Sequence, residues 1–205
     1  MSHLRAEFRQ RAEEIVALYP HARSATLPLC HLAQEQDGYL CADAIVEVAQ
    51  LTGTTPAEVR GTASFYDMFH LEPVGTYVVG ICTNIACLLA GGLELLEHAE
   101  RTLGVSVGAT TTDSAFTLEE LECLGDCSVA PCVQVNHRFV RTTTPEALDA
   151  MLAEVWSGAR TADIPPHGTL SRVRRSVGLA APHQVVAEER TRVRIQAASA
   201  QEPAG

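Results

Sequence analysis

Tyr77-Val78-Val79-Gly80-Ile81-Cys82-Thr83-Asn84-Ile85-Ala86-Cys87 is the stretch on which the fold turns. Four apolar side chains and a glycine, short and rich in β-branched residues, predict a buried strand over 77–81. The strand runs into Cys82, so this thiol emerges at the mouth of the loop that follows. Cys87 follows after four intervening residues, and Thr83-Asn84-Ile85-Ala86 can curl backbone N–H groups toward sulfur and stabilise its anion. A second cysteine pair lies in Glu122-Cys123-Leu124-Gly125-Asp126-Cys127. There Gly125 permits a tight loop where a Cβ would clash, and Pro131 closes the loop. The chain thus carries Cys82-x4-Cys87 and Cys123-x3-Cys127, with 35 residues between the pairs.

Working forward from Cys87, Gly92 to Leu103 reads as a helix and Phe116 to Cys123 as a weakly alternating strand. Cys132 to Val140 reads as a β-hairpin turning at Asn136-His137. Thr144-Pro145-Glu146 opens a last helix with Leu148, Met151, Leu152 and Val155 on one face. Strand, helix, strand, strand, helix, with cysteines at strand ends, predicts a compact α/β domain over residues 75–156.

Working backward, Glu72-Pro73-Val74-Gly75 is a turn and the predicted boundary of a small helical domain, residues 1–74. Leu4, Phe8, Ala12, Ile15 and Tyr19 recur at helical spacing until Pro20 stops the run. A second helix covers Thr26 to Gln36 and closes at Gly38; a third runs from Ala42 to Leu51 and stops at Gly53. Thr55-Pro56-Ala57-Glu58 has the cap, the first-turn proline and the glutamate of a capping box, and its helix carries Val59, Ala63 and Phe65-Tyr66 toward Phe69. Phe65, Tyr66 and Phe69 are expected in the core. From Ser157 the pattern dissolves, and residues 157–205 are expected to form an extended or partly disordered tail. That tail holds seven Arg against four acids, so it is an arm for an acidic surface or simply a loose end.

The net charge of −10 argues against a nucleic-acid partner, whose phosphates demand a basic surface. All 15 cations are Arg, a compositional bias from which no function is drawn. Hydrophobic residues make up 46% of the chain, enough for a real core. The most apolar stretch, Tyr77 to Leu96, is broken by Thr83, Asn84, Gly91, Gly92 and Glu94, short of the ~20 continuous apolar residues a span requires. No direct membrane insertion is expected. The charged start MSHLRAEFRQ lacks the apolar run of a secretory signal, which predicts a reducing, cytoplasmic setting. There seven cysteines point to metal ligands or buried thiols, and an odd number cannot all be paired within the chain.

Thiolates are soft ligands and select zinc, copper(I) or iron–sulfur. A [2Fe–2S] cluster takes four thiolates, two to each iron, and two pairs on two loops meet that demand. Structural zinc is the first alternative, although its sites usually use C-x2-C knuckles and neither pair has that spacing. A redox dithiol lacks its C-x-x-C, and four unrelated buried thiols remain the plainest reading. Cys30, Cys41 and Cys132 have no close partner in sequence. Cys30 and Cys132 read as small core residues, and Cys132 is the one spare ligand. His31, His70 and His98 have no partners at ligand spacing and read as packed or surface imidazoles. Glu119, Glu120 and Glu122 read as a solvated strand face. No residue reads as catalytic, and no G-x-G-x-x-G offers a nucleotide site.

Taken together these residues resemble a known family, the E-type subunits of NADH:quinone oxidoreductase (respiratory complex I), which are thioredoxin-like [2Fe–2S] ferredoxins. Tyr19-Pro20 with Arg23-Ser24-Ala25-Thr26-Leu27-Pro28-Leu29, and Gln34 to Tyr39, are similar to the family's N-terminal helical segment. Gly61-Thr62-Ala63-Ser64-Phe65-Tyr66 resembles its glycine-to-tyrosine motif, and Leu71 to Gly75 its linker. Cys82-Thr83-Asn84, Glu122-Cys123-Leu124-Gly125, Cys127 and Ala130-Pro131 resemble its two cluster loops. The likeness covers roughly residues 5 to 156. Three positions depart from the pattern: Ile85-Ala86 where a Thr-Pro pair is common, Asp126 in a small apolar slot, and Cys132 in an aliphatic one. None removes a ligand.

The resemblance implies an α/β, thioredoxin-like [2Fe–2S] domain preceded by a small helical domain, with one [2Fe–2S] cluster on Cys82, Cys87, Cys123 and Cys127. It implies an electron-transfer subunit that accepts single electrons near the flavin of an NADH-oxidising subunit, with FMN and NADH on that partner only. Other peripheral-arm iron–sulfur subunits are the remaining implied partners, and the helical domain is the implied docking element. The implied place is cytoplasmic, peripheral on the inner face of the membrane through the complex. The equivalent subunit of an NAD-linked hydrogenase or formate dehydrogenase is the alternative, and a zinc-stabilised interaction module the alternative of another class.

Overall fold

The computed structural model of the chain describes residues 3–167. The part of the expected tail beyond residue 167 lies outside the described residues. Helix α1 (Ala6–Val16) leads through a 3₁₀ turn at Ala22–Ala25 into α2 (Thr26–Asp37), α3 (Ala42–Thr52) and α4 (Pro56–Phe65). Each boundary has a local cause. Gly38 ends α2 in the left-handed conformation, at φ 81°, which costs glycine nothing. At the start of α4 the Thr55 hydroxyl accepts from the Glu58 N–H while the Glu58 carboxylate accepts from the Thr55 N–H, a complete capping box.

The four helices close on Phe8, Leu29, Leu32, Leu40, Ile45, Val48 and Val59, one contiguous apolar core. Phe69 belongs to it, but Phe65 does not: α4 ends there, and its ring is 80% exposed, edge-on to Tyr66. The aromatic group expected in the core is therefore split. Helical spacing stops holding once the chain leaves the helix at Tyr66, so Phe69 turns into the core while Phe65 stays in solvent.

After the turn at 72–75 the chain forms β1 (Tyr77–Cys82), α5 (Ile85–Leu89), α6 (Gly92–Leu103), β2 (Phe116–Leu121), a 3₁₀ turn at Cys127–Val129, β3 (Val133–Val135), β4 (Arg138–Val140) and α7 (Pro145–Trp156). The strands lie in the order β2-β1-β3-β4. β2 runs parallel to β1, from Tyr77 opposite Phe116 to Cys82 opposite Leu121, as a helical crossover requires. β3 runs antiparallel to β1 with Ile81 opposite Val133, and β4 returns as a hairpin. Asn136 and His137 make that turn at φ 47° and 61°, both left-handed, which matches the twist of the flanking strands.

All six residues of β1 are buried. Val79 and Ile81, two apart and so on one face, pack with Leu118, Val133 and Val135 beneath Leu95, Leu96 and Ala99 of α6 and Leu148, Met151, Leu152 and Val155 of α7. Residues past α7 continue this core, since Ile164 is buried in it. Asn136 ties the sheet's far end together. Its side chain accepts from the Val78 N–H at 2.8 Å and donates to the Thr76 and Pro165 carbonyls.

Candidate metal centre

Parallel pairing of β1 and β2 brings the two cysteine loops to one end of the sheet, because Cys82 and Leu121 sit opposite each other. The loops are then pinned. Thr83 donates its hydroxyl to the Glu120 carboxylate, and the Asn84 amide reaches the Glu122 carboxylate at 3.3 Å. Glu120 and Glu122 are exposed, the solvated positions expected of them, and their role here is to join one loop to the other.

The loop after β1 is more ordered than its sequence predicts. Asn84 caps α5 by accepting from the Ile85 N–H at 2.9 Å, and the short helix turns Cys87 inward while leaving Ile85 and Leu89 in solvent. Helix α6 begins hard against this loop. A Cβ at Gly92 would lie 2.7 Å from the Cys82 carbonyl oxygen and 2.8 Å from that of Cys87, closer than any side chain tolerates. Gly92 therefore lets the backbone of α6 seat on the cysteine loop.

Together these elements enclose a cavity of about 230 Å³ lined by Cys82, Cys87, Cys123 and Cys127, with Asn84, Leu124, Gly125 and Cys132. All four predicted cysteines are brought together. Cys82 and Cys87 are buried and Cys123 and Cys127 exposed, so the cavity has an inner and an outer pair of thiols. Leu124, Val129 and Ala130 pack around the inner sulfurs and keep water from them. The Cys132 backbone N–H points at the Cys87 sulfur from 3.4 Å, a donor placed for a thiolate.

Cys132 itself is buried, as a core residue would be, but it also lines this cavity. The Cys82 N–H pairs with the Cys132 carbonyl at 3.0 Å and holds the start of β3 beside the end of β1. The Cys132 thiol donates to the Asp126 carbonyl at 2.9 Å. Burial, then Cys87, Cys82 and Asp126 close by, push this thiol up to about 12. It is therefore a neutral donor bracing the outer loop. Only the position of Pro131-Cys132 directly after that loop hints at this in the sequence. Cys30, by contrast, sits in the helical core with its thiol pushed up to about 12 by burial alone.

The donor set fits a four-thiolate group. Each loop supplies two sulfurs, as a cluster with two irons requires, and among the described residues no carboxylate or imidazole lines the cavity. The histidines singled out in the sequence lie elsewhere: His98 bonds Asp149 at 2.8 Å on the surface, and His31 packs on Phe69 with ring centroids 4.7 Å apart. No described helix is long and apolar enough to cross a membrane.

Comparison with known proteins agrees with this geometry. The chain is 40% identical over 155 residues to NADH-quinone oxidoreductase subunit 2 of Thermus thermophilus, a match covering 74% of this chain and 86% of that protein. It is 39% identical over 156 residues to a second E-type NADH-quinone oxidoreductase subunit, from Rhizobium meliloti, covering 76% of this chain and 93% of the relative. Among solved structures, an NAD+-reducing [NiFe]-hydrogenase in the air-oxidised state superimposes over 72% of this chain with a TM-score of 0.59. That likeness, at 22% identity and over 26% of the hydrogenase chain, is one of fold. The model of the thioredoxin-like [2Fe-2S] ferredoxins matches residues 12–156, and with two cysteine pairs closing one cavity inside that span, the chain belongs to this family.

Proposed function

We propose that Cys82, Cys87, Cys123 and Cys127 hold one [2Fe–2S] cluster and that the chain is the iron–sulfur electron-transfer subunit of an NADH:quinone oxidoreductase. The observation that carries this reading is the closure of two separate cysteine pairs around one cavity with an inner apolar collar. The relatives named as NADH-quinone oxidoreductase subunits, aligned over most of their own length, support the choice of complex. When bound, such a cluster takes up and returns one electron at a time.

The chain's own residues set the terms of that exchange. The Cys132 N–H, aimed at the Cys87 sulfur, stabilises added negative charge there. Asp126 stands beside the outer pair and opposes added charge, which lowers the potential. Burial of Cys82 and Cys87 keeps the inner end dry, while exposed Cys123 and Cys127 leave the outer end open to a partner. Beside it Ile85 and Leu89 are 74% and 84% exposed, an apolar edge suited to protein contact. We assign that contact to the flavin-bearing, NADH-oxidising subunit. FMN and NADH are placed on that partner, with other iron–sulfur subunits of the peripheral arm alongside, and the chain is held peripherally at the membrane's inner face.

Electron paramagnetic resonance on anaerobically purified, dithionite-reduced protein tests the cluster, with iron and zinc assayed on the same sample. A rhombic S = 1/2 signal with two irons per chain is expected. Silence with one zinc and no iron would make this a structural module. Co-purification with a flavoprotein that oxidises NADH tests the complex.

A further inference from the structure

A second group of potential ligands lies in the helical domain, away from the cysteine cavity. His3 Nε2 is 2.6 Å from Asp37 Oδ2 and 3.3 Å from the sulfur of Cys41, and that sulfur is 3.9 Å from Asp37 Oδ2. One nitrogen, one oxygen and one sulfur thus face a common point, and all three residues are half-buried, open enough for an ion to enter. They come from three places: the segment before α1, the end of α2 and the cap of α3. The left-handed turn at Gly38 brings the last two together.

The surroundings hold each ligand in this orientation. The Gln36 amide donates to Asp37 Oδ1 at 2.9 Å, which leaves Oδ2 for the shared point. The Ala44 N–H donates to the Cys41 sulfur at 3.4 Å, a bond suited to a thiolate at a helix start. His3 is anchored through its backbone. Its N–H and that of Leu4 donate to Glu47 Oε2 at 2.6 and 2.7 Å, its carbonyl accepts from Gln36, and Arg9 braces the other Glu47 oxygen at 2.6 Å. Metal sites are recognised by such outer partners as much as by their ligands.

We propose that His3, Asp37 and Cys41 form a site for zinc, with water as the fourth ligand. The donor set selects the ion: a thiolate excludes magnesium and calcium, and imidazole with carboxylate and thiolate suits a borderline-soft tetrahedral cation. Zinc bonds of about 2.0 to 2.3 Å in a tetrahedron place ligand atoms roughly 3.3 to 3.6 Å apart. The two sulfur distances bracket that spacing. His3 and Asp37 open from their hydrogen bond when zinc replaces the proton between them. Binding therefore releases that proton and the Cys41 thiol proton. One doubly positive ion then meets one carboxylate and one thiolate, so the charges balance. The ion pins residue 3 to the α2–α3 junction and fixes α1 on the helical core.

The test uses the full chain with its iron–sulfur cluster assembled, exposed to micromolar zinc and dialysed. Wild type is expected to retain one zinc beside two irons, and zinc-edge X-ray absorption to show one sulfur and three nitrogen or oxygen neighbours. His3→Ala and Cys41→Ser should each weaken zinc retention at least tenfold while leaving the iron count and the reduced-state resonance unchanged. Asp37→Asn, which keeps a hydrogen-bonding amide and loses the charge, should do the same. Wild type without zinc, variants that keep it, or a zinc shell of three or four sulfurs would each overturn the proposal; the last places zinc among the cluster cysteines. Because zinc and iron are read separately, loss of the cluster is not mistaken for loss of this site.

Discussion

At the scale of single residues, the site depends on one missing atom and one charge. Gly92 has no room for a Cβ, since the Cys82 and Cys87 carbonyl oxygens stand 2.7 and 2.8 Å from where it would be. Gly92→Ala must push α6 off the cysteine loop, and overpacking of this kind costs about 1 to 3 kcal/mol. A lower urea midpoint together with fewer irons per chain is the expected result, and a variant with wild-type iron content would show that the loop yields. Asp126 acts by charge. Its carboxylate is tied to the Ser128 hydroxyl at 2.8 Å, within the outer loop, and its carbonyl receives the Cys132 thiol. Replacing it with Ala removes a negative charge beside an anionic group, so reduction becomes easier and the midpoint should rise; redox titration followed by resonance reads the shift. The four proposed ligands are legible in the sequence because their pairing is a matter of spacing. The place of Cys132 is not, because only the β1–β3 register brings it to Cys82, 50 positions earlier in sequence.

At the scale of elements, short-range rules make most of the fold readable. The capping box of α4, the glycine stop of α2, the Asn136-His137 turn and the apolar face of α7 all depend on residues within a turn or two of each other. Helix α5 escapes for a physical reason. Ile85, Leu88 and Leu89 are apolar yet exposed, and only Cys87 faces inward, so the segment has no periodic apolar face to reveal a helix. The first helix also falls short of its apolar pattern, ending at Val16, because Leu18 and Tyr19 turn outward before Pro20. Helix α7 gives the sharpest energetic test. Leu148 is fully buried in the core that the sheet shares with α6, so Leu148→Ala should lower unfolding stability by about 2 to 5 kcal/mol. Urea titration of the intact protein measures it. A loss below about 1 kcal/mol would mean that α7 is only loosely seated.

At the scale of the whole molecule, the two cores meet through histidines that no local pattern could group. His70 leaves the helical core, His137 sits on the β3–β4 turn, and their rings stack with centroids 6.4 Å apart. His167 packs its ring within 2.9 Å of where a Cβ at Gly38 would be, and its N–H bonds the Thr76 carbonyl. Burial lowers His31, His70, His137 and His167, and His70, with His137 and His167 beside it, falls to about 4. His70 lies 3.9 Å from Glu119, too far for a hydrogen bond, and its burial makes this a contact of a neutral ring rather than an ion pair. The sign follows. Above the ordinary histidine value of 6.5, folded and unfolded chains both hold these rings neutral. As the pH falls below 6.5 the unfolded chain takes up protons that the folded one refuses, so stability declines until His70 itself protonates near 4. Side-chain exposure of 11% supports a contribution from His70 of about 3 kcal/mol, spread across that interval. Glu119, raised by burial and by Asp67, opposes the trend at its acid end, because the folded form accepts a proton there more readily. Asp113 and Glu58, both lowered, add their own losses only as the pH falls through the ordinary carboxylate range and below. The interval from pH 6.5 to about 5 therefore belongs to the histidines. The urea midpoint should drop steadily across it, and His70→Asn, similar in polarity but not titrating, should flatten that slope while leaving the midpoint level above about pH 7. A wild-type midpoint that stayed level between about pH 7 and 5 would mean that the rings take up protons without parting the two cores.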